Sequence, residues 1–147
     1  MSSLQEIGDR LLVVYDGHCG LCNGLVHWLL KHDRHDRLRF AASASTVVAP
    51  LLAGHSRELE PDGTPGTVLV FRNPLAPGEQ LFVRFAATLA VLHVLPQPWP
   101  AIAATLRWIP VFLTDPAYRL VARWRYRIWG RLQTCRLPTA LERERFL

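Results

Sequence analysis

The spacing of apolar positions divides this chain into elements. Leu11–Tyr15 is apolar at every position without alternation, the pattern of a strand covered on both faces. Over residues 19–31 the positions Cys22, Leu25, Val26, Leu29 and Leu30 follow helical spacing, which predicts a first helix ending in the charged turn of Lys31, Asp33 and Arg34. Leu38–Ala42 reads as a second strand, and the segment before it is long enough for the crossover that parallel pairing needs. Residues 46–53 predict a short helix starting near a Ser or Thr cap. Residues 58–66, rich in Pro, Gly and acid, predict a loop. Residues 67–71 and 80–85 then read as an antiparallel hairpin with a long turn between them. Residues 85–95 and 99–113 predict two packed helices. Asp115-Pro116 is expected to open a last long one, because proline is favoured at the first helical position. On that helix Arg119, Arg123 and Arg127 recur every fourth residue as a solvated face, and Leu120, Val121, Trp124 and Ile128 form the stripe expected to be buried.

The order strand-helix-strand-helix-strand-strand-helix resembles that of a thioredoxin-like α/β domain: a central mixed sheet with flanking helices, here with a C-terminal helical extension. The 147 residues fit one such domain, with its core over residues 10–95 and the extension over 99–147, long enough to bury a core without disulfide staples. Half of the residues are hydrophobic, which raises the question of a membrane. Pro96, Pro98, Pro100, Arg107 and Pro110 interrupt the apolar stretch before it reaches the roughly 20 residues of a spanning helix, so integral membrane insertion is not expected. The net charge of +5 is concentrated near the end, where eight arginines from Arg119 onward face only Glu142 and Glu144. Such a cluster can attract nucleic acid, anionic lipid or an acidic partner. The fourfold spacing is already explained by a solvated helix face, and no nucleic-acid partner is expected.

Chemistry enters at Asp16-Gly17-His18-Cys19-Gly20-Leu21-Cys22, between the first strand and the first helix. A cysteine at the mouth of a helix feels the positive end of the peptide dipole and unpaired backbone N–H groups, both of which favour thiolate. Cys19 is therefore expected to be an exposed, partly ionised attacking thiol, and Cys22, one turn on, the buried resolving thiol. Asp16 is placed either to accept a proton from Cys22 through water or to cap the turn by bonding the N–H groups of residues 17–20. His18 is either a cation beside Cys19 or a neutral, solvent-facing ring. Gly17 and Gly20 keep the loop narrow. Pro65, just before the third strand, stands near the place where such folds set a cis-proline to receive a substrate backbone, or is an ordinary loop proline, and with His18 and Gly20 it makes up the candidate substrate-binding set.

Two other readings use the same residues. The Cys-x-x-Cys spacing is also half of a zinc site, which Cys135 and one of His18, His27 or His32 could complete, although no second closely spaced ligand pair exists. Alternatively the thiols are incidental and the Arg-rich helix binds a partner or a membrane surface. His32 and His35 belong to the charged turn and are most simply solvated. The odd count of three cysteines, with no export segment before Leu11, fits a reducing compartment, the cytoplasm.

Tyr15-Asp16-Gly17-His18-Cys19-Gly20-Leu21-Cys22-Asn23-Gly24 resembles the opening motif of the DCC family of thiol-disulfide oxidoreductases, named for its Asp-Cys-Cys pattern. The likeness continues through Arg39-Phe40-Ala41-Ala42 and returns in Arg125-Tyr126-Arg127-Ile128-Trp129-Gly130 and Cys135-Arg136-Leu137-Pro138. The chain departs from the family pattern at Trp124, where an asparagine is typical, and at Arg84, where a small polar residue is usual. The resemblance implies thiol-disulfide exchange without a bound cofactor, on a disulfide- or thiol-bearing protein or small molecule.

Overall fold

A computed structural model describes residues 2–61, 63, 65–130 and 139–147. The elements in chain order are α1 (Ser2–Gln5), β1 (Leu11–Tyr15), α2 (Gly20–His32), β2 (Leu38–Ala42), α3 (Ala49–Gly54), β3 (Leu69–Arg72), β4 (Gln80–Val83), α4 (Arg84–Val94), α5 (Trp99–Leu106) and α6 (Val111–Trp129). The strands form one mixed sheet in the order β2-β1-β3-β4. β1 runs parallel to β2, with Val13 opposite Phe40, and antiparallel to β3, with Val13 opposite Val70. β4 closes an antiparallel hairpin on β3.

Every residue of β1 is buried, as its unbroken apolar run requires. The period of two sends Leu11, Val13 and Tyr15 to one face, among Val26 and Leu29 of α2 and Val91 and Leu92 of α4. Leu12 and Val14 go to the other, among Leu4, Val48 and Leu51. The result is a sheet between helical layers, the thioredoxin-like architecture expected from the pattern. α4 and α5 pack on each other, and no helix among the described residues is long and apolar enough to cross a membrane.

Several boundaries move for identifiable reasons. α3 begins at Ala49 rather than Thr46, and no side chain caps it. Ser45 caps a turn instead, its hydroxyl taking the Val47 N–H and its carbonyl the Val48 N–H. β3 begins at Leu69 rather than Thr67, whose hydroxyl bonds Tyr118 of α6. β4 stops at Val83, where Arg84 takes φ +53° and turns the chain directly into α4. α6 is opened by Pro110 at its N-cap, whereas Pro116 lies inside the helix. His32 is half-buried rather than solvated, stacked on Trp28 with ring centroids 4.1 Å apart and edge-on to Trp99, while His35 is exposed.

The orientation of α6 is the largest departure from expectation. Leu120, Trp124 and Ile128 are 59%, 38% and 64% exposed, and Val121 is exposed with them. Thr114 and Arg125 are buried in their place. Beyond residues 131–138, which lie outside the described residues, the chain returns to the outer edge of β2. There the Leu147 N–H donates to the Phe40 carbonyl at 2.9 Å, and Phe146 forms a parallel bridge with Phe40. Arg145 reaches the buried Asp33, whose carboxylate also accepts the Arg37 and Leu38 N–H groups in the turn between α2 and β2.

Candidate active site

The loop from Asp16 to Cys19 is held by hydrogen bonds within it and by Asn23 of α2. Asp16 is buried; its Oδ1 accepts the His18 N–H at 2.9 Å and its carbonyl accepts the Cys19 N–H at 3.2 Å. That is the turn-capping arrangement, one of the two expected for this residue. Asn23, buried on the first turn of α2, donates through Nδ2 to the carbonyls of Gly17 at 2.8 Å and Cys19 at 2.9 Å. It ties the loop to the helix from inside.

Cys19 is the N-cap of α2, with extended backbone, and its Sγ accepts the Cys22 N–H at 3.4 Å. A sulfur in that position takes one of the donors a helix start leaves unsatisfied. The Cys19 pKa falls from its ordinary 9.0 to about 6. The largest cause is a hydrogen bond from the Cys22 thiol; burial opposes it, and the Cys22 N–H, the positive charge of Arg125 and the Leu21 N–H reinforce it. Cys22 moves the other way: the same hydrogen bond, its own burial and the adjacent Cys19 charge hold its proton on well above the ordinary range. The two thiols thus have opposite protonation preferences, Cys19 as anion and Cys22 as donor.

Cys19 was expected to be exposed, and it is fully buried. The end of α6 lies across the mouth of α2, where the Gly20 N–H donates to the Gly130 carbonyl at 3.3 Å. Within the same helix Arg125 reaches inward. Its Nη1 donates to the Gly66 carbonyl at 3.0 Å and its Nη2 to the Pro65 carbonyl at 3.4 Å, and Nη2 lies 3.8 Å from Asp16 Oδ2. One guanidinium therefore joins the loop before β3 to the loop before α2 and brings Pro65 into the neighbourhood of the dithiol. Thr67 donates its hydroxyl hydrogen to the Tyr118 oxygen at 2.8 Å, and burial raises the Tyr118 pKa.

Of the residues singled out from the sequence, Asp16, Cys19, Gly20 and Cys22 surround one helix start, with Pro65 joined to them through Arg125. His18 is half-buried in the same loop. The cation acting on both sulfurs is Arg125. Cys135 and the Thr64–Pro65 peptide bond involve residues outside those described. Among the described residues no group of three or more His, Cys, Asp or Glu side chains is placed to hold a metal ion. Arg125, Asn23 and Tyr118 were missed as individual functional residues. A signal for Arg125 was present: it is out of step with Arg119, Arg123 and Arg127 and shares its helical register with Tyr118 and Ala122.

The model of the DCC1-like thiol-disulfide oxidoreductase family matches residues 13–131. A chloroplastic DCC family protein of Arabidopsis thaliana is 33% identical over 136 residues, covering 92% of this chain and 74% of its own. The uncharacterised protein YuxK of Bacillus subtilis strain 168 is 27% identical over 143 residues, 97% of each chain. No solved structure matches.

Proposed function

The chain belongs to the DCC1-like thiol-disulfide oxidoreductase family, and from that membership we propose that it exchanges disulfides by cycling Cys19 and Cys22 between dithiol and disulfide. The observation that carries this reading is the placement of Cys19 at the N-cap of α2, its Sγ accepting the Cys22 N–H at 3.4 Å with the Cys22 thiol one turn away, an arrangement that favours thiolate on Cys19. The Cys19 thiolate attacks one sulfur of a substrate disulfide, the substrate S–S bond breaks, and the departing sulfur leaves as a thiolate that takes a proton from water. Cys22 then gives up its proton and attacks Cys19 Sγ, releasing the second substrate thiol. The substrate gains two electrons as two thiols, and the protein is left with a Cys19–Cys22 disulfide that an external thiol or dithiol donor returns to the reduced state.

Asp16 serves this cycle by fixing the loop and by offering a carboxylate near Cys22 for the proton released in the second step; the influence of its charge on Cys22 supports that role. His18, Gly20 and Pro65 border the substrate, and the Gly20–Gly130 contact opens to admit it. The chain acts as a single unit in which α6 completes the site, a reading supported by the Arg125 contacts to both loops. The low, odd cysteine count supports a reducing compartment such as the cytoplasm.

The test is intact-mass analysis of prereduced protein, in a Cys135→Ser background, after exposure to bis(2-hydroxyethyl) disulfide. The parent should become two hydrogens lighter, Cys22→Ser should accumulate a mercaptoethanol adduct, and Cys19→Ser should do neither. Equal trapping by both serine variants, or adducts on Cys22 alone, would falsify the assignment of roles.

A further inference from the structure

A groove of about 670 Å³ lies between α6 and the loop before β3, and Arg125 is part of its lining, whereas Cys19 and Cys22 are not. Five guanidinium groups line it, from Arg57, Arg84, Arg119, Arg123 and Arg125, against the two carboxylates of Glu58 and Glu60. Among the described residues, none of Arg57, Arg84, Arg119 and Arg123 has an ion-pair partner. Arg119 and Arg123 stand one turn apart on α6 and so present two forks to the same cavity. Arg84 faces them from the start of α4 with φ +53°, a backbone state that costs any residue with a Cβ and is found where the surroundings enforce it. A concentration of like charge with few counter-charges, one member held on strained backbone, is a surface arranged for an anion.

The groove and the site already described share Arg125. Gly66, Thr67 and Arg125 line the groove, and Arg125 extends from there toward Asp16 and the two sulfurs. We propose that the groove holds the carboxylates of a small acidic disulfide and turns its sulfur–sulfur bond toward the Arg125 end, from which the buried Cys19 is reached once the Gly20–Gly130 contact opens. This deepens the exchange reaction proposed above and rests on it for the chemistry, which is the same two-step exchange with the same external thiol donor. Guanidinium forks match carboxylates in a paired geometry, and a volume of several hundred Å³ suits a small molecule. The arginines outnumber Glu58 and Glu60, so the lining is net positive and disfavours a cationic ligand.

The experiment separates binding from chemistry. In the full chain carrying Cys19→Ser and Cys22→Ser, equilibrium binding is measured by calorimetry at low salt for dithiodipropionate, bis(2-hydroxyethyl) disulfide and cystamine, which are dianionic, neutral and dicationic. Dithiodipropionate should bind roughly tenfold or more tightly than the other two, and weaken steeply with added chloride, as charge-assisted pairs do. The double variant Arg119→Gln/Arg123→Gln should remove that preference. Arg57→Gln, from the opposite wall, should reduce it, and Arg127→Gln, whose guanidinium lies over the Trp124 ring outside the groove, should leave it intact. Circular dichroism of each variant confirms the fold, and Arg57→Gln tests the same groove should the α6 variant fail to fold. Binding of the three disulfides within about twofold of one another, or a preference that survives in both groove variants, overturns the proposal. A dianion preference in the serine variant with no disulfide formed in the prereduced parent would instead leave the groove standing and refute the redox reading.

Discussion

The central sheet and the last helix solve opposite packing problems. β1 buries five consecutive apolar side chains between two helical layers. α6 turns Leu120, Trp124 and Ile128 outward and carries Thr114, Tyr118 and Arg125 inward. What differs is the surface each element meets. The sheet meets apolar faces of α2, α3 and α4, so burial removes hydrocarbon from water. Where α6 carries Arg125 inward it meets the Pro65 and Gly66 carbonyls and the Asp16 carboxylate, acceptors that a leucine would leave unsatisfied and a guanidinium can bond. Which face of an amphipathic helix is buried is therefore decided by the polarity of what it covers.

The largest expected effects probe the two kinds of core. Phe71→Ala, in the middle of β3 and fully buried, should cost about 3–5 kcal/mol in denaturant unfolding. Arg125→Leu should cost a comparable amount, about 3–5 kcal/mol, because it takes the guanidinium away from the Pro65 and Gly66 carbonyls and from the buried Asp16 carboxylate. Arg125→Lys should recover part of that loss by restoring the charge without the fork. If Arg125→Leu proved as stable as the parent, the polar contact under α6 would be incidental and the contrast with the sheet would fall.

A middle-sized effect reads the same arginine through the thiols. Alkylation of Cys19 should reach half its maximal rate near pH 6, and Arg125→Lys or Arg125→Leu should move the midpoint upward, further for leucine. The linked stability has a definite sign. The Cys19 pKa is lower in the folded chain than its ordinary 9.0, so its contribution is fully present above pH 9.0 and is lost as pH falls through about 6. Cys22, raised, contributes below pH 9.0 and loses that contribution only at strongly alkaline pH. A midpoint that does not move in Arg125→Leu would leave the helix start and the Cys22 hydrogen bonds as the whole cause. The smallest effect belongs to the outward stripe: Trp124→Ala should cost no more than about 1 kcal/mol, a surface value, where a fully buried tryptophan would cost several times that.

The sheet and the dithiol were readable because their causes are local. An unbroken run such as Leu11–Tyr15 can be satisfied only by cover on both faces, and the position of Cys19 at a helix start follows from the glycine-rich turn before an apolar-periodic segment. α6 was misread because its inward face is set by carbonyls some 60 residues earlier, which no periodicity within the helix records. A still larger separation hid the cover over Cys19, since the carbonyl that meets the Gly20 N–H belongs to Gly130, after the last long helix. The opening of α6 was missed by one proline: Pro110 stands with extended backbone at the N-cap just ahead of the helix, and Pro116, expected at the first helical position, lies inside it.

The contact of Phe146 and Leu147 with β2 bears on how this protein behaves in concentrated solution. β2 is the outermost strand of the sheet, and its free edge is a row of backbone donors and acceptors able to recruit a strand from another molecule. The Leu147 amide occupies one of those acceptors and the Phe146 ring shields its neighbourhood. Trimming those two residues, or fusing a bulky partner directly after them, uncovers the edge while leaving the dithiol untouched, and the outcome to watch for is concentration-dependent self-association through β2.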